Sequence, residues 1–552
     1  MDSTLPSAAA SPGAAVELDG FTLSAGGEVL LASTSARFNP GEVTLVVGPS
    51  GAGKSLLLCA MAGLLDSQQR EVTAQGRVRV GDFDMLTGQR SAGGSPAQTG
   101  GPPVLREGRQ RLPVGVVFQN FALFDELSPL DNVRFARAHR SASVRGEAAE
   151  PAALLKELQV PCNVRTSALS GGQRQRLAIA RTLANQPEVI LYDEPTSGLD
   201  VATASQVADL IRATHATHPQ TSIIVTHDYE ALAPIADRIY LLDPRTKSLQ
   251  EVPHEAWANL HDLLSSARDG HAASSARPPE SLSQRLLTAA GDFLHGTSQW
   301  VEQSLLLPLR LVPMWKSPVW GLHSVWHYLR LVASPTAWLY MAIAGAIVGY
   351  VATYFTFRFL PFRQYTEPLL IENLLHALGF SLYRILVPVL ATVLIAARCG
   401  AAVASDVGGK VYTRQIEALC TLGVRPERYL LTGIMYAFLL GTPLLVEIAF
   451  LAARWTSLGV FSASHPLLGP YFWESHFHRE LIEPGRWLYQ GTSWLMAKTL
   501  CCAAGMGLIA YLRGLSPKHS SDDVSRGITS TILWSTLWVL VMHFAFAFYE
   551  FE

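Results

Sequence analysis

The sequence carries almost no net charge: 43 Lys and Arg stand against 45 Asp and Glu, a balance of −2 over 552 residues. Without a basic excess to neutralise phosphate backbones, nothing in the charge points to nucleic acid as a partner. Cysteine is scarce too. The six (Cys59, Cys162, Cys399, Cys420, Cys501 and Cys502) fall at no metal-ligand or disulfide spacing and read as reduced, structural thiols. The stretch Met1 to Ala15 is rich in Ala, Ser and Pro and lacks an apolar core of signal-peptide length, which predicts a flexible leader over 1–15. No internal repeat is visible.

What the chain has in quantity is apolar residues, 49% of the total, unevenly spread. Its length predicts roughly two to four domains. The first 265 residues or so have the character of a soluble α/β protein, whereas long hydrophobic stretches dominate from about residue 330.

One stretch organises the first half: Gly48-Pro49-Ser50-Gly51-Ala52-Gly53-Lys54-Ser55. It follows the apolar run Val43 to Val47 and precedes the helix-forming Leu56 to Met61, so a strand, a glycine-rich loop and a helix come in succession. In that context the loop curls so that its N–H groups point inward, and the helix start adds partial positive charge. Lys54 is expected to reach the β- and γ-phosphates, and the Ser55 hydroxyl to ligate Mg2+. The chain therefore binds a nucleoside triphosphate, through a single loop of this kind.

Around it, Val16 to Leu23 and Val29 to Phe38 alternate like an antiparallel hairpin with Gly26-Gly27 at the turn. Residues 88–112, rich in Gly, Pro, Ser and Arg, read as a surface insertion. Val114 to Phe118 is a buried strand ending at Gln119. After a helical stretch come Leu169-Ser170-Gly171-Gly172-Gln173, then the strand Val189 to Tyr192 running into Asp193-Glu194. Ser197-Gly198-Leu199-Asp200 follows, and the strand Ser222 to Thr226 ends at His227. Strands alternating with helices predict a mainly parallel sheet with its functional groups at the strands' C-terminal ends, where each of these motifs sits.

In this order the residues resemble the nucleotide-binding domain of an ABC ATPase: Walker A at 48–55, Q-loop Gln119, signature 169–173, Walker B 189–194, D-loop 197–200 and switch His227. The stretch Phe118 to Asp125 further resembles the MlaF branch, which serves lipid transporters. The resemblance implies a P-loop NTPase fold, ATP as nucleotide and hydrolysis as activity. Asp193 is then placed to hold Mg2+, Glu194 to polarise the attacking water, His227 to sense the γ-phosphate, and Gln119 to contact Mg2+ and report nucleotide state. By the same resemblance Ser170, Gly171, Gly172, Gln173 and Asp200 serve the nucleotide held by a second copy, so a head-to-tail homodimer is expected. One departure stands out: where family members often place an aromatic to stack on adenine, this chain has Ala25, with Phe21 as the neighbouring ring that would substitute.

Residues 256–281 read as a linker. Beyond it, Leu282, Leu286, Ala290, Phe293 and Leu294 fall at helical spacing. Trp300, Trp315, Trp320, Trp326 and Trp338, interspersed with Arg310, Lys316, His327 and Arg330, then favour a water–lipid interface, so interfacial elbow helices are expected over 282–333.

A membrane span needs roughly 20 apolar residues. Five are expected, at about 335–357, 378–402, 429–453, 490–512 and 527–549, giving an all-α transmembrane domain over 334–552 after an ATPase domain over 16–255. With the ATPase cytosolic, the loops 404–428 and 513–526 carry seven Lys and Arg against five in the longer outer loops 357–377 and 454–488. The run from Arg398 to Gly408, followed by Thr413 to Leu419 and Gly423 to Tyr429, resembles MlaE-type permeases, the integral subunits of MCE-associated lipid transporters. Arg398, Gly400, Asp406, Gly408, Gln415 and Pro426 lie on that pattern, and Gly514 to Ser535 echoes it. The cytosolic loop would be a coupling helix resting near Gln119. The family's Arg-Glu-Leu-Gly-Pro reads Arg384-Ile385-Leu386-Val387-Pro388 here, losing an acid. Glu447 and Lys498 lie inside the third and fourth spans, where a charge costs about 2.5–3.5 kcal/mol; they either pair, the favoured reading, or line the lipid cavity.

The combined expectation is an ATP-driven lipid transporter with ATPase and permease in one chain, multi-pass in a Gram-negative inner membrane, with a plastid envelope as the second candidate, and working as a homodimer. A periplasmic MCE-domain protein and a STAS-like subunit are the partners the resemblance implies. The rivals are an ABC exporter of another amphiphile and an ABC protein that transmits force without transport.

Overall fold

The computed structural model describes residues 13–65, 72–87, 89–90, 114–140, 150–260, 264, 312–313, 315–359, 363–479, 481–482, 488–518 and 520–550. The chain divides into two compact units: Met1–Leu286 together with Thr413–Arg425, and Leu287–Tyr412 together with Pro426–Glu552. The short stretch 413–425, which lies between hydrophobic spans in sequence, thus belongs to the first unit. Most of the expected leader, of the linker and of the 88–112 insertion, and the helix from Leu282, lie outside the described residues.

In the first unit, β1 (Val16–Ala25) and β2 (Glu28–Phe38) form the expected hairpin about Gly26-Gly27, both with positive φ. With β4 (Val72–Val80), β5 (Phe83–Asp84) and β6 (Gln89–Arg90) they make an antiparallel sheet of order β2-β1-β4-β5-β6. The second sheet is built on β3 (Val43–Val47), all five residues of which are buried. Its order is β11-β10-β3-β9-β8-β7, from β7 (Val114–Val117), β8 (Val189–Asp193), β9 (Thr221–Thr226), β10 (Arg238–Asp243) and β11 (Ser248–Val252). All neighbours are parallel except β11, which closes the edge antiparallel to β10. Continuous burial on β3, β8 and β9 explains why they are rich in Val, Ile and Leu, as expected for parallel strands covered on both faces.

Register places the motifs. Val47 pairs with Thr226, Asp193 with Val225 and Val117 with Tyr192, so the loops after β3, β7, β8 and β9 leave the sheet at one level. Helices α1 (Lys54–Met61), α2 (Pro129–Ala138), α3 (Pro151–Glu157), α4 (Gly171–Ala184) and α5 (Val201–Thr217) also lie in this part. α4 packs closely on β7: a Cβ on Gly115 would lie 2.5 Å from the Thr182 methyl.

The second unit is helical. Among the described residues five stretches are long and apolar enough to cross a membrane: Pro318–Arg358, Leu370–Tyr412, Glu427–Ser464, Thr492–Leu515 and Ser521–Glu550. The first comprises α6 (Pro318–Val332) and α7 (Pro335–Arg358), interrupted at Ala333-Ser334. The second comprises α8 (Arg363–Ser381), α9 (Val387–Ile395) and α10 (Ala401–Tyr412), joined by wide π turns at Leu382–Leu386 and Ala396–Gly400. After α11 (Gln415–Thr421), which belongs to the first unit, a third π turn (Glu427–Leu431) opens α12 (Thr432–Ser464). α13 (Gly469–Phe477), α14 (Thr492–Leu515) and α15 (Ser521–Glu550) follow. The segment expected as the outer loop 454–488 is largely helical among its described residues: α12 runs past its expected end to Ser464, and α13 buries Trp473 and Phe477.

α12 packs against α7 along a small-residue stripe. A Cβ on Gly345 would lie 2.0 Å from the Ala449 carbonyl oxygen, and one on Gly349 2.2 Å from that of Ala453. Thr353 Oγ1 donates to Ser457 Oγ at 2.8 Å on the next turn. The backbones approach this closely because nothing larger stands between them. α6 also lies against α12, with Tyr328 and Val332 buried and Ser324 Oγ donating to the Tyr429 carbonyl at 2.8 Å.

Candidate ATP site

β3 delivers the chain into the loop 48–55. Gly51 (φ 84°) and Gly53 (φ 93°) sit in the left-handed region that favours glycine, which lets the loop wrap before α1 begins at Lys54. Lys54 is buried; its Nζ donates to the Gly48 and Pro49 carbonyls at 2.9 Å each and lies 4.0 Å from Glu194 Oε1. Ser55 Oγ donates to Asp193 Oδ1 at 3.2 Å. Burial raises the Asp193 pKa, and the Arg414 guanidinium and the Ser55 hydroxyl oppose that rise.

Glu194 takes a left-handed backbone (φ 47°), held by its N–H donating to the Val225 carbonyl at 2.8 Å. That turn leaves its carboxylate 3.1 Å from His227 Nδ1. The structure thus brings Lys54, Ser55, Asp193, Glu194 and His227 into one cluster. Gln119 Nε2 donates to Ser197 Oγ at 3.3 Å, tying the end of β7 to the 197–200 loop. Ser55 and Asp193 offer neighbouring hard oxygens at a helix start, a donor set that suits Mg2+ completed by phosphate oxygens and water.

The remaining expected site residues stand at helix starts. Ser170 and Gln173 form a capping box on α4: Ser170 Oγ accepts from the Gln173 N–H at 3.3 Å, and Gln173 Oε1 accepts from the Ser170 N–H at 3.0 Å. Gly171 and Gly172 face open space. Asp200 caps α5, accepting from Thr203 N (3.2 Å) and Oγ1 (2.7 Å), which lowers its carboxyl pKa.

Phe21 does not replace the missing aromatic. It is fully buried in the antiparallel sheet opposite Thr34, because its strand position faces the core. Ala25 sits at the end of β1, paired with Glu28 and Val72.

Two residues contribute contacts that the motifs do not announce. Arg181, buried on α4, donates to the carbonyls of Ala122 and, at 3.3 Å, Phe121, both left-handed residues just past Gln119, with its guanidinium over the Phe124 ring. Burial lowers its pKa only to about 10, so it remains a cation at neutral pH. The second is Arg414, at the start of α11, whose Nη1 donates to Asp193 Oδ2 at 2.8 Å. One residue on, Gln415 Nε2 is 3.5 Å from Asp125 Oδ2, so the 413–425 segment does lie near the Gln119 turn.

Within the second unit, Arg398 leaves its π turn to donate to Ser334 Oγ (3.0 Å) and Thr336 Oγ1 (2.8 Å). Asp406 accepts from Lys410 Nζ at 2.7 Å and lies 3.5 Å from His327 Nε2. The expected Glu447–Lys498 pair is not formed. Lys498 Nζ instead bonds Glu550 Oε2 at 2.9 Å and the Arg384 carbonyl, and Arg384 Nε bonds Glu550 Oε1 at 2.8 Å. The Glu550 side chain is 1% exposed, so α15 brings a nearer and better-shielded acid than the outward-facing Glu447.

Two family models match separate parts of the chain. The ABC transporter family model matches residues 31–197, and the Permease MlaE model matches residues 328–549. The L-cystine transport system ATP-binding protein TcyN of Escherichia coli K12 is 36% identical over 236 residues, 42% of this chain and 86% of that protein. Protein TRIGALACTOSYLDIACYLGLYCEROL 3, chloroplastic, of Arabidopsis thaliana is 32% identical over 257 residues, 43% of this chain and 68% of its own length. Among solved structures, the ADP- and Pi-bound dimeric cassette MJ0796 is 27% identical, covering 43% of this chain and 97% of that one, with a TM-score of 0.34.

Proposed function

Since the chain belongs to the ABC transporter family, an ATP-hydrolysing domain joined to an MlaE-type permease in one polypeptide, we propose that it moves phospholipid or a related lipid as a homodimer. The observation that carries the lipid assignment is the MlaE match over 328–549, which takes in all five candidate spans in whole or in part. The chain is a membrane protein. We place it in the inner membrane with the ATPase on the cytosolic side, in line with the Lys/Arg bias of loops 404–428 and 513–526. A periplasmic MCE-domain protein and a STAS-like subunit are the proposed partners, and 16–255 and 334–552 the proposed domain limits.

In the proposed mechanism Lys54 and the loop N–H groups bind the ATP phosphates, while Ser55 and Asp193, with Gln119, hold Mg2+. When bound, Mg2+ neutralises charge on the β- and γ-phosphates. Glu194 accepts a proton from the attacking water, and His227, 3.1 Å from that carboxylate, positions it and contacts the γ-phosphate. Ser170, Gly171 and Gly172 present an uncovered helix start to the nucleotide on a second copy, aided by Gln173 and Asp200. Binding draws the two ATPase domains together, and hydrolysis lets them part.

Fluorescent-phospholipid movement in proteoliposomes tests this reading. ATP-dependent movement by the wild-type chain and none by Glu194→Gln supports it. Equal movement by both, or ATP hydrolysis by the wild type with no lipid moved, contradicts it and favours an exporter of another amphiphile or a force-transmitting protein.

A further inference from the structure

Arg414 stands out because it comes from sequence far from the ATP motifs yet reaches their most shielded carboxylate. The two Asp193 oxygens have different partners: Oδ1 accepts from Ser55, and Oδ2 from Arg414 Nη1 at 2.8 Å. The Asp193 side chain is 2% exposed and that of Arg414 35%, so the guanidinium enters from the solvent side onto a buried acid. The backbone of Arg414 is held left-handed (φ 57°) at the turn before α11, a conformation a non-glycine residue keeps only when its surroundings fix it. The thiol of Cys59, one turn along α1 from Ser55, and the carboxyl of Glu417 both feel the Arg414 charge. Burial pushes the Cys59 thiol up to about 12, so it stays neutral and adds no competing anion.

We infer that Arg414 and Mg·nucleotide compete for Asp193, making the 413–425 segment a reporter of metal-loaded nucleotide. The inference rests on the reading that Ser55 and Asp193 hold Mg2+. A dication bound at Ser55 and Asp193 sits next to the carboxylate oxygen that Arg414 uses, and two cations that close in a shielded site repel. Whichever arrives weakens the other, and linkage makes the effect reciprocal: segment 413–425, seated through Arg414, lowers the affinity for Mg·nucleotide, and Mg·nucleotide loosens the segment. Nucleotide without metal leaves the Arg414–Asp193 pair in place. Because 413–425 continues directly into α10 on one side and the Glu427–Leu431 turn on the other, its release acts on the two hydrophobic spans that flank it.

The test uses the full chain in lipid nanodiscs, with wild type, Arg414→Ala, Arg414→Lys and Asp193→Asn. The first readout is the Mg2+ concentration giving half-maximal binding of a fluorescent ATP analogue. Arg414→Ala is expected to lower it about threefold or more, the size of one charge-assisted bond at a partly exposed site. Arg414→Lys should fall between, and binding in EDTA should be the same in wild type and Arg414→Ala. The second readout is hydrogen–deuterium exchange of 413–425. In wild type it should rise with Mg2+ and AMP-PNP together but not with AMP-PNP alone, whereas in Arg414→Ala it should be high throughout. An unchanged or higher Mg2+ midpoint in Arg414→Ala, or wild-type exchange unaffected by Mg·AMP-PNP, overturns the competition. If Asp193→Asn leaves the Mg2+ midpoint at the wild-type value, the metal assignment itself fails, and that result is separable from any effect at Arg414.

Discussion

Arg181 supplies the clearest residue-scale account of how the Gln119 turn is held. Two left-handed residues, Phe121 and Ala122, present carbonyls inward, and one buried guanidinium on α4 bonds both while lying over Phe124. Removing it strands those carbonyls away from water. Arg181→Met is therefore expected to cost about 1.5–3 kcal/mol, the range for a hydrogen bond to a charged group. It should appear as a lower thermal midpoint of the solubilised chain and slower ATP turnover, with Arg181→Lys recovering only part because Lys lacks the forked donor. A midpoint unchanged by Arg181→Met would contradict this role.

The α7–α12 crossing is the corresponding case among elements. Ala337, Met341, Gly345, Gly349, Thr353 and Phe357 recur every four residues on the buried face of α7, and two of them touch the α12 backbone. Gly349→Leu forces the helices apart, since even a Cβ there would stand 2.2 Å from a carbonyl oxygen. We expect its loss of folded, monodisperse protein to far exceed that of Ile347→Leu, whose position is exposed on the same helix. Equal yields and size-exclusion profiles for the two variants would contradict the packing. This crossing shows where the sequence is hard to read. Gly345 and Gly349 lie in a helix apolar on every side, so periodicity does not distinguish the face that meets protein. The π turns around Arg384 and Arg398 are equally hidden, because one wider turn leaves no mark on hydropathy. By contrast, Gly48 to Ser55, Asp193-Glu194 and His227 were legible from local pattern, since binding a phosphate demands set residue types where strands end. Arg414–Asp193 and Lys498–Glu550 join residues 221 and 52 positions apart, a kind of pairing that chain order does not disclose. Phe21 is buried for a reason that is equally hidden: nearness in sequence to the hairpin turn does not say which sheet face a ring occupies.

For the whole molecule, one polypeptide carries one phosphate loop and one Ser170-Gly171-Gly172 helix start, and the proposed mechanism needs a loop from one copy and a helix start from the other. Complementation isolates that requirement. Lys54→Ala disables a copy's own loop, and Ser170→Arg blocks the helix start it offers its neighbour; each variant expressed alone should hydrolyse ATP at background. Co-expressed with different tags and purified through both, the mixed dimer retains one composite site, the intact loop of the Ser170→Arg copy facing the intact helix start of the Lys54→Ala copy. The account predicts ATP turnover in the doubly purified material well above either variant alone. Background turnover in mixed dimers of confirmed composition, or full wild-type turnover by a chain that stays monomeric, would contradict it.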